Sequence, residues 1–541
     1  MPYNLLHQRW IPVRRKSGKA DWIAPWQIVE RDDAPVAIAS ARPDFDGALL
    51  QFLIGLMQTV AAPEGKRDWE RHFEAPHSPE ELKSLFASVE PAFNLDGEGP
   101  RFMQDLTLKA DEAESVGIGG LFIDRMGEES LEDKSDLFAK PGLIPQIDFR
   151  AAAAALFTLQ TNAPSGGRGH LTSLRGGGPL STVVLGGDLF ATVWLNVLAE
   201  EDFTSKFGSR ELTSIDAKFP WMAPTRTSDS KAGGSATTPL DVHPAQHYWG
   251  MPRRIRIDFG GNVIGVCAIT GERGVPVVSH YLTRHSGVSY EGEFRHPLTP
   301  YSLVKAGEPL NPKKAKADGI PYRDWPTFVA ADEEHEPARV VQIFQSHRRF
   351  TFVPQPRLFA FGFEMSNMKP RAWHQGETPL VPVAPEFGAD FGAHLRALVE
   401  ASESVRKTLL QKIKEAIARR PQDLPGDLGA TVNAAFWART EVGFFETVHA
   451  ISEALPSGAL SPTIAERWLE ALHQQAKALF ETYSQAAGDF AAVDVRRVAV
   501  AWNALLEYTS PRSYQLRKMV GLPVEERKKS PRKSKKKEEQ A

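Results

Sequence analysis

Two glycine-rich segments with interleaved basic residues have the composition in this sequence that best suits contact with an anion. The first reads Ser165-Gly-Gly-Arg-Gly-His170 and the second reads Leu174-Arg-Gly-Gly-Gly-Pro179. Glycines let a backbone approach a phosphate or a base edge closely, and Arg168, His170 and Arg175 carry charge that pairs with phosphates. Neither segment has the glycine pattern of a phosphate-binding loop or a dinucleotide-binding turn, so two ordinary flexible turns are an equally open interpretation.

Histidines and the single cysteine raise the question of a metal site. The residues concerned are His243, His247, Cys267 and His296. Tetrahedral zinc takes four ligands, usually with several thiolates in structural sites, and only one thiol exists here. We therefore interpret these four residues as structural or hydrogen-bonding groups and predict neither a metal nor another cofactor.

No catalytic motif accompanies these residues. The sequence lacks the G-x-S-x-G and H-E-x-x-H patterns and has no nucleophile with a base at a recognised spacing. The acid pairs Asp44 with Asp46 and Glu333 with Glu334 are predicted to be exposed loop charges. We predict that the protein is not an enzyme, while a hydrolase with an unrecognised site stays open as an alternative.

Positive charge is concentrated locally. The stretch Arg527 to Lys537 holds eight Lys or Arg and no acid, so removing it takes the net charge from −3 to −11. Nucleic-acid contacts of so acidic a body must come from local patches or from a partner's surface. One possible location is Met251-Pro-Arg-Arg-Ile-Arg256, where alternate arginines on one face of a predicted strand suit either a solvated edge or a phosphate contact.

Residues 1–385 are predicted to form a large, irregular, mixed α+β domain that positions these segments. Short β-rich runs between Gly- and Pro-rich turns predict strands over Ser181–Leu185, Arg254–Asp258 and Phe350–Val353. Apolar residues at three- and four-residue spacing predict helices over Phe45–Val60 and Ala151–Thr161.

Residues 386–522 have a helical pattern and predict a C-terminal four-helix bundle. The predicted helices span 390–420, 428–454, 462–487 and 490–521. Ser461-Pro462 is predicted to begin the third, because serine accepts free backbone N–H bonds and proline fits the first turn. Residues 523–541 lack apolar periodicity and are predicted to form a basic disordered tail.

Composition excludes several classes of protein. No apolar run approaches the roughly 20 residues that a membrane span needs. The opening residues, Met-Pro-Tyr-Asn-Leu-Leu-His, do not resemble a secretory signal. One cysteine excludes an internal disulfide. We therefore expect a cytoplasmic protein without membrane spans.

Several groups of residues, taken in chain order, resemble the large subunit of type I-E CRISPR Cascade complexes, the CasA family. They are Asn4-Leu-Leu6 with Trp10-Ile-Pro-Val-Arg14, Asp44 to Pro63, Phe93-Asn-Leu with Pro100-Arg-Phe-Met-Gln104, Leu174-Arg-Gly-Gly with Gly187-Asp-Leu189 and Leu195-Asn-Val-Leu198, Tyr248-Trp-Gly-Met-Pro-Arg-Arg254, and Gly362-Phe-Glu-Met-Ser-Asn-Met-Lys369. Ordered matches over this length are far more specific than any single motif.

The resemblance implies a DNA-binding, non-enzymatic subunit of an RNA-guided antiviral surveillance complex. Its implied partners are the other Cascade subunits, CRISPR RNA, double-stranded target DNA, the displaced strand and a recruited helicase-nuclease. Family members recognise the short protospacer-adjacent motif (PAM) from the minor groove, where the hydrogen-bonding pattern is degenerate, and start strand separation for guide pairing. A scaffold that docks partners without reading DNA stays open as another alternative.

Site residues are carried over from the family position by position. The family's PAM-reading glycine loop falls on Gly166, Gly167, Arg168 and Gly169, with Arg168 standing where the best-known member has glycine. A basic residue that contacts DNA falls on Arg284 or His285. Arg284 is preferred because its charge does not depend on pH.

Two further family segments are carried over in the same way. The strand-separating wedge falls on the turn Ser366, Asn367, Met368 and Lys369, with Asn367 near a glutamine of that member. The loop from Arg125 to Gly142 corresponds to the segment that contacts the guide RNA's 5′ handle and a neighbouring subunit, with Phe138 and Lys140 as the expected contacts.

Overall fold

The chain divides into two compact units. The computed structural model describes residues 2–124, 144–166, 169–208, 211–260, 263–347, 349–353, 355–366, 369–418, 420, 424, 426–458, 461–486 and 494–524. The first unit, called the N-terminal unit, contains Met1–Ile320 and Asp324–Ala389. The second, called the helical unit, contains Pro321–Arg323 and Asp390–Ala541.

The strands of the described residues lie in the N-terminal unit and form five antiparallel sheets of three strands. In chain order they are β1 (Ile11–Arg15), β2 (Ala20–Ile23), β3 (Pro35–Ile38), β4 (Glu114–Gly117), β5 (Ile147–Asp148), β6 (Ser181–Leu185), β7 (Arg254–Ile257), β8 (Ile264–Val266), β9 (Arg273–Val278), β10 (His280–Arg284), β11 (Tyr301–Ser302), β12 (Asn311–Pro312), β13 (His335–Glu336), β14 (Arg357–Ser366) and β15 (Lys369–Pro379). The sheet orders are β2-β1-β3, β4-β10-β7, β5-β9-β8, β6-β14-β15 and β12-β11-β13.

Helices of the same unit pack among these small sheets. They are α1 (Pro43–Val60), α2 (Lys66–Glu74), α3 (Pro79–Ala87), α4 (Phe149–Asn162), α5 (Leu189–Leu195), α6 (Glu200–Phe207), α7 (Ile215–Lys218), α8 (Gln246–Trp249), α9 (Trp325–Val329) and α10 (Arg339–Ser346). The predicted helices over Phe45–Val60 and Ala151–Thr161 are confirmed as α1 and α4. Both are buried over most of their length, since each packs against other elements on several faces.

An aromatic cluster around helix α1 forms the centre of the N-terminal unit. The ring of Phe52 lies 5.1 to 5.9 Å from five other rings, mostly edge to face. The five belong to Trp10, Phe93, Phe102, Phe157 and Trp249. Such pairs add about 0.5–1.5 kcal/mol each beyond the area they bury. These aromatic residues, which are distant in sequence, are thereby packed against helix α1.

Five α-helices of the described residues form the helical unit, and the first of them begins two residues before Asp390. They are α11 (Gly388–Ile417), α12 (Leu428–Ala454), α13 (Pro462–Ala486), α14 (Val495–Thr509) and α15 (Tyr514–Met519). The indole N–H of Trp468 donates to the Leu398 carbonyl at 3.3 Å, which joins α13 to α11. Tyr322 stacks on Phe444 of α12 with ring centroids 4.2 Å apart. No helix in the described part of either unit is long and apolar enough to cross a membrane.

The predicted α+β region followed by a C-terminal helical bundle is confirmed, and Pro462 begins α13 as expected. The predicted fourth helix over 490–521 is wrong in one respect. It ends at Thr509 and a short helix follows from Tyr514. Ser510 precedes Pro511, and the proline ring disfavours helical geometry in the residue before it.

The predicted strand over Phe350–Val353 is also wrong. Residues Arg349–Phe352 form a 3₁₀ helix. The Arg349 guanidinium lies 3.7 Å from the centre of the Trp69 ring, and the ring of Phe352 packs 5.7 Å from the same indole. Tertiary packing therefore overrides the strand preference of a short aromatic run.

Candidate nucleic-acid interface

The stretch of residues 166–170, called the glycine loop, is closed at its described ends. The Gly166 N–H donates to the His170 carbonyl at 3.1 Å, which joins the two ends of the loop. Gly169 has a φ of +77°, in the left-handed region that glycine adopts without steric cost. Gly167 and Arg168 lie outside the described residues. The described ends are thus held by the backbone and not by side chains.

Two basic side chains lie directly beneath the glycine loop. A Cβ atom on Gly166 would lie 2.8 Å from Cβ of His170 and 2.9 Å from Nη1 of Arg253, so only glycine fits there without a shift. Arg253 Nη2 donates to the Pro164 carbonyl. Burial, reinforced by the positive charges of Arg253 and His285, lowers the pKa of His170 to about 4. His170 is therefore neutral at physiological pH.

The predicted basic residues lie beside the glycine loop. Ser286 N–H donates to the Gly169 carbonyl at 3.0 Å and so joins the end of β10 to the loop. His285 is exposed. Arg284 Nη1 lies 2.7 Å from the Glu112 carboxylate in a partly exposed ion pair. Of the two alternatives, His285 is adjacent to the loop, whereas the charge of Arg284 is offset by a neighbour.

The two described residues of the predicted wedge, Ser366 and Lys369, lie at the ends of paired strands in a β-hairpin. Ser366 ends β14 and pairs with Lys369, which begins β15, so two residues connect the strands. Lys369 is exposed and Ser366 is half-buried. Asn367 and Met368 lie outside the described residues. The hairpin brings the two described members of the set together.

The base of this hairpin is fixed to helix α1. A Cβ atom on Gly47 would lie 2.7 Å from the Phe361 ring of β14 and 2.8 Å from the Trp373 ring of β15. The absence of a side chain at Gly47 therefore allows both aromatic rings to approach the helix closely. On its other side, β14 pairs with β6. The hairpin is anchored from two directions.

The second glycine-rich stretch links the glycine loop to the hairpin. Residues 173–178, called the connecting segment, lie between the two structures. A Cβ atom on Gly177 would lie 3.0 Å from Cα of Pro164, just before the glycine loop. A Cβ atom on Gly178 would lie 2.6 Å from the Phe363 carbonyl oxygen in β14. One short segment therefore packs against both predicted DNA-contacting structures.

The expectation that Arg175 pairs with phosphates is wrong. Its side chain is buried within the N-terminal unit. Nη1 donates to the hydroxyls of Ser181 at 2.8 Å and Thr299 at 2.9 Å, and Nη2 donates to Gln51 Oε1 at 2.8 Å. Burial lowers the pKa of Arg175 to about 10. Arg175 anchors the connecting segment and does not face a ligand.

The alternate arginines of the predicted strand, Arg254 and Arg256, form neither the solvated edge nor the phosphate contact that the sequence suggests. Arg254 is buried, and its Nε lies 2.6 Å from the Asp105 carboxylate. Arg256 donates to the backbone carbonyls of Asp105 and Leu106 at 3.3 Å. These arginines fasten the edge strand β7 to a neighbouring loop. The pairing lowers the pKa of Asp105 against the opposing effect of burial.

The histidines considered as metal ligands make local hydrogen bonds instead. The Nδ1 atoms of His243 and His296 accept backbone N–H bonds from Ala245 and Leu298. Among the described residues, no group of three or more His, Cys, Asp or Glu is arranged to hold a metal ion. Burial lowers the pKa of His247 to about 4.

The two acid pairs differ in their exposure to solvent. Glu333 and Glu334 are exposed, as predicted. The prediction for Asp44 is wrong, because this residue is buried in the first turn of α1 and its carboxylate lies 2.9 Å from Nε of Arg42. Asp46 is half-buried and accepts a hydrogen bond from the Ser40 N–H. Both aspartates hold the start of α1 in place.

Two other predicted regions lie outside the described residues. They are the guide-RNA loop with Phe138 and Lys140, and the basic stretch from Arg527 to Lys537.

A comparison of the sequence with protein-family models identifies the family of the chain. A model of the CRISPR-associated protein Cse1 family matches residues 4–479 of the chain. The chain belongs to the Cse1 family. The predicted resemblance to the large subunit of type I-E Cascade is thereby confirmed, and the glycine loop and hairpin both lie within the matched part of this Cse1-family chain.

Solved structures agree in fold. CasA from Thermus thermophilus matches with a TM-score of 0.68 at 16% identity, covering 94% of this chain and 99% of that one. Cse1 from Thermobifida fusca matches with a TM-score of 0.68 at 16% identity, covering 96% and 98%. A chain of a structure described as a CRISPR RNA-guided surveillance complex matches with a TM-score of 0.66 at 16% identity, covering 94% and 99%. At 16% identity these matches show a shared fold.

Proposed function

We propose that this Cse1-family chain recognises a PAM in duplex DNA from the minor groove and separates the strands beside it. In this proposal Gly166–Gly169 lies against the minor-groove edge, Arg284 or His285 contacts the backbone, and Ser366–Lys369 enters the base stack. Pairing of the guide RNA with the target strand then follows.

The observation that supports this proposal most strongly is the connecting segment. Reading a motif and opening the adjacent base pairs require two structures at a constant separation. Gly177 packs against Pro164 at the base of the glycine loop, and Gly178 packs against Phe363 in the hairpin. This packing supports a constant separation between the reader and the wedge.

The local charges also favour a short contact over general DNA binding. The formal net charge of −3 includes eight basic residues in the Arg527–Lys537 stretch, so most of the chain is acidic. Long-range attraction to DNA is then weak, and affinity must come from close contacts. A loop with little side-chain bulk suits the narrow minor groove, whose degenerate pattern permits several related motifs.

Assembly within a surveillance complex completes the proposal. The expected partners are the other Cascade subunits and CRISPR RNA, with Phe138 and Lys140 at the guide's 5′ handle. The helical unit would guide the displaced strand and help recruit the helicase-nuclease that cuts. The chain itself acts without catalysis, in the cytoplasm, as part of antiviral defence.

The wedge is tested by replacing Asn367 and Lys369 together with alanine in the reconstituted complex. The double variant should lose about tenfold in affinity for a duplex target, equivalent to about 1.4 kcal/mol, because the side chains that replace lost base-pair contacts are gone. Affinity for a target already unpaired beside the PAM should change little. Gel-shift titrations of both targets measure the difference.

A matched control replaces the exposed residues Lys305 and Asn311, which lie elsewhere in the N-terminal unit, with alanine. This control should bind both targets as the parent does. Equal losses on duplex and unpaired targets by the wedge variant would eliminate the wedge assignment.

The glycine loop is tested by a selection from a library of randomised motifs. Substitution of Gly166–Gly169 by bulkier residues should change or abolish the preferred motif. An unchanged preference, with intact assembly, would favour the alternative of a scaffold that does not read DNA.

A further inference from the structure

Residues 313–316, called the lysine segment, contain three lysines with different electrostatic surroundings. Lys313 Nζ lies 2.8 Å from the Asp324 carboxylate, and this ion pair is mostly buried. Lys314 and Lys316 are exposed and form no ion pair with any residue that the structure describes. Neighbouring protein removes part of the water around the Lys314 ammonium and so lowers its pKa, and no described carboxylate acts against this effect. Two of the three positive charges are therefore available to a partner.

The backbone holds these two lysines in a fixed orientation. Lys314 forms a β-bridge with Pro179, directly after the connecting segment. Ala315 is buried and forms a β-bridge with Glu364 in β14. Because side chains alternate along an extended backbone, Lys314 and Lys316 share the face opposite the buried Ala315. The two ammonium groups are thus presented to solvent from one side of the segment.

The lysine segment lies along the connection between the glycine loop and the hairpin. Lys314 Nζ is 3.8 Å from the place that a Cβ atom on Gly176 of the connecting segment would occupy. Through Ala315 the lysine segment also reaches Glu364, two residues before Ser366 at the end of β14. A duplex that contacts the glycine loop and the hairpin at the same time would pass the connecting segment. Its phosphates would then come within reach of the two lysines.

We propose that Lys314 and Lys316 bind phosphates of the target duplex between the bases that the glycine loop reads and the bases that the hairpin separates. This inference rests on the proposed function and adds to it two contact residues and the group they bind. The net charge is −11 without the stretch Arg527–Lys537, so repulsion between this body and DNA has to be offset locally. Lysine binds phosphate as a point charge, and these contacts supply affinity without choosing the motif.

The test is the salt dependence of duplex binding by the reconstituted complex with Lys314→Gln and Lys316→Gln together. Glutamine keeps a polar side chain but carries no charge. Loss of two phosphate contacts should make the slope of log affinity against log salt shallower by about 1.8. Between about 50 and 200 mM salt, the affinity of the parent should then fall about twelvefold more than that of the variant. The motif selected from a randomised library should stay the same, because phosphates carry no sequence information.

Two further variants separate charge at this position from charge in general. Lys314→Arg with Lys316→Arg keeps both charges and should keep the parental slope. Lys16→Gln with Lys19→Gln is the matched control, because it removes two exposed lysines from the turn between β1 and β2. This control should also keep the parental slope. A parental slope for the Lys314 and Lys316 glutamine variant, or a slope change of equal size in the control, would overturn the inference.

Guide RNA is the other partner that carries phosphates, and its retention separates the two nucleic acids. If the glutamine variant retains less guide RNA in the assembled complex while its duplex slope stays parental, the lysines bind RNA and the inference is wrong. Failure of the proposed function gives a different pattern, in which bulkier residues at Gly166–Gly169 leave motif preference intact. If those substitutions abolish the preference while the lysine variant keeps the parental slope, only the inference fails. Thermal unfolding shows whether each variant folds.

Discussion

The two glycine-rich stretches have similar compositions, but Gly169 in the first and Gly178 in the second have opposite surroundings. In the glycine loop, Gly169 has its nearest side-chain neighbour, Cβ of His285, at an ordinary 3.5 Å from a substituted Cβ. In the connecting segment, Gly178 would place a Cβ only 2.6 Å from a backbone oxygen of β14. Glycine at 169 leaves space around the backbone, whereas glycine at 178 makes room for another part of the chain.

The same contrast applies to the basic residues within and beside the two stretches. Arg175, in the connecting segment, uses its donors on Ser181, Thr299 and Gln51. Arg253, beneath the glycine loop, keeps a buried nitrogen without a partner. A buried arginine whose donors are all satisfied stabilises the fold, whereas a buried nitrogen without a partner carries a desolvation cost. Composition alone does not separate these two cases.

The largest effect expected from this comparison is that of Gly178→Ala. Gly178 has a φ of +59°, and the added methyl would collide with the Phe363 carbonyl. We expect the free energy of unfolding of the N-terminal unit to fall by about 3 kcal/mol, from backbone strain together with overpacking. Denaturant unfolding followed by tryptophan fluorescence measures it.

Gly307→Ala is the control for that experiment, since Gly307 has a φ of +83° and no atom within 4 Å of a substituted Cβ. This variant has the backbone strain alone, so its free energy of unfolding should fall by about 1 kcal/mol. If both variants were equally stable, the connecting segment would not be tightly packed, and the contrast between the two stretches would disappear.

A smaller loss of stability is expected from Gly169→Ala. The left-handed φ of +77° costs about 1 kcal/mol for alanine, and no close contact adds to it. If the glycine loop lies against DNA, this variant should lose affinity for duplex targets beyond what its stability explains. Gly271→Ala, with a φ of +72° in open surroundings, gives the matched backbone strain without the loss of binding.

The sequence predicted the parts of the fold that depend on local periodicity. Helix α1 and the bundle helices follow repeating apolar positions, and Leu395, Leu398, Val405, Leu409 and Ile413 are buried along α11. The short run Phe350–Val353 was ambiguous because four residues contain too little periodicity to distinguish a strand from a helical turn. The break at Pro511 could have been predicted from the proline itself.

The location of the proposed site is a prediction from the family resemblance, and its electrostatics depend on contacts that the sequence does not show. Resemblance to the family indicated the glycine loop and the hairpin tip. The partners that decide the role of each arginine are distant in sequence, with Asp105 and Arg254 separated by 149 residues and Gln51 and Arg175 by 124. Arg253 lies within the predicted strand segment Met251–Arg256 and the family match Tyr248–Arg254, and neither pattern distinguishes it from its neighbours. The contacts that distinguish Arg253, Arg254 and Arg256 from one another form only on folding.

The smallest expected effect is a pH-dependent loss of stability at His170. It tests whether the glycine loop stays closed in the folded protein, as the connecting segment stays packed. The pKa of His170 is held at about 4 only while the loop is folded over it, whereas an unfolded chain protonates this histidine near 6.5. The unfolded state therefore binds more protons between these values, and the N-terminal unit loses stability as pH falls below 6.5. His170→Gln removes this component, so from pH 7.5 to pH 6 the parent should lose about 0.8 kcal/mol more than the variant.

His449→Gln, in the helical unit, is the control. Equal losses in the parent and His170→Gln, in unfolding curves at both pH values, would mean that the loop opens and lets His170 titrate as in an unfolded chain.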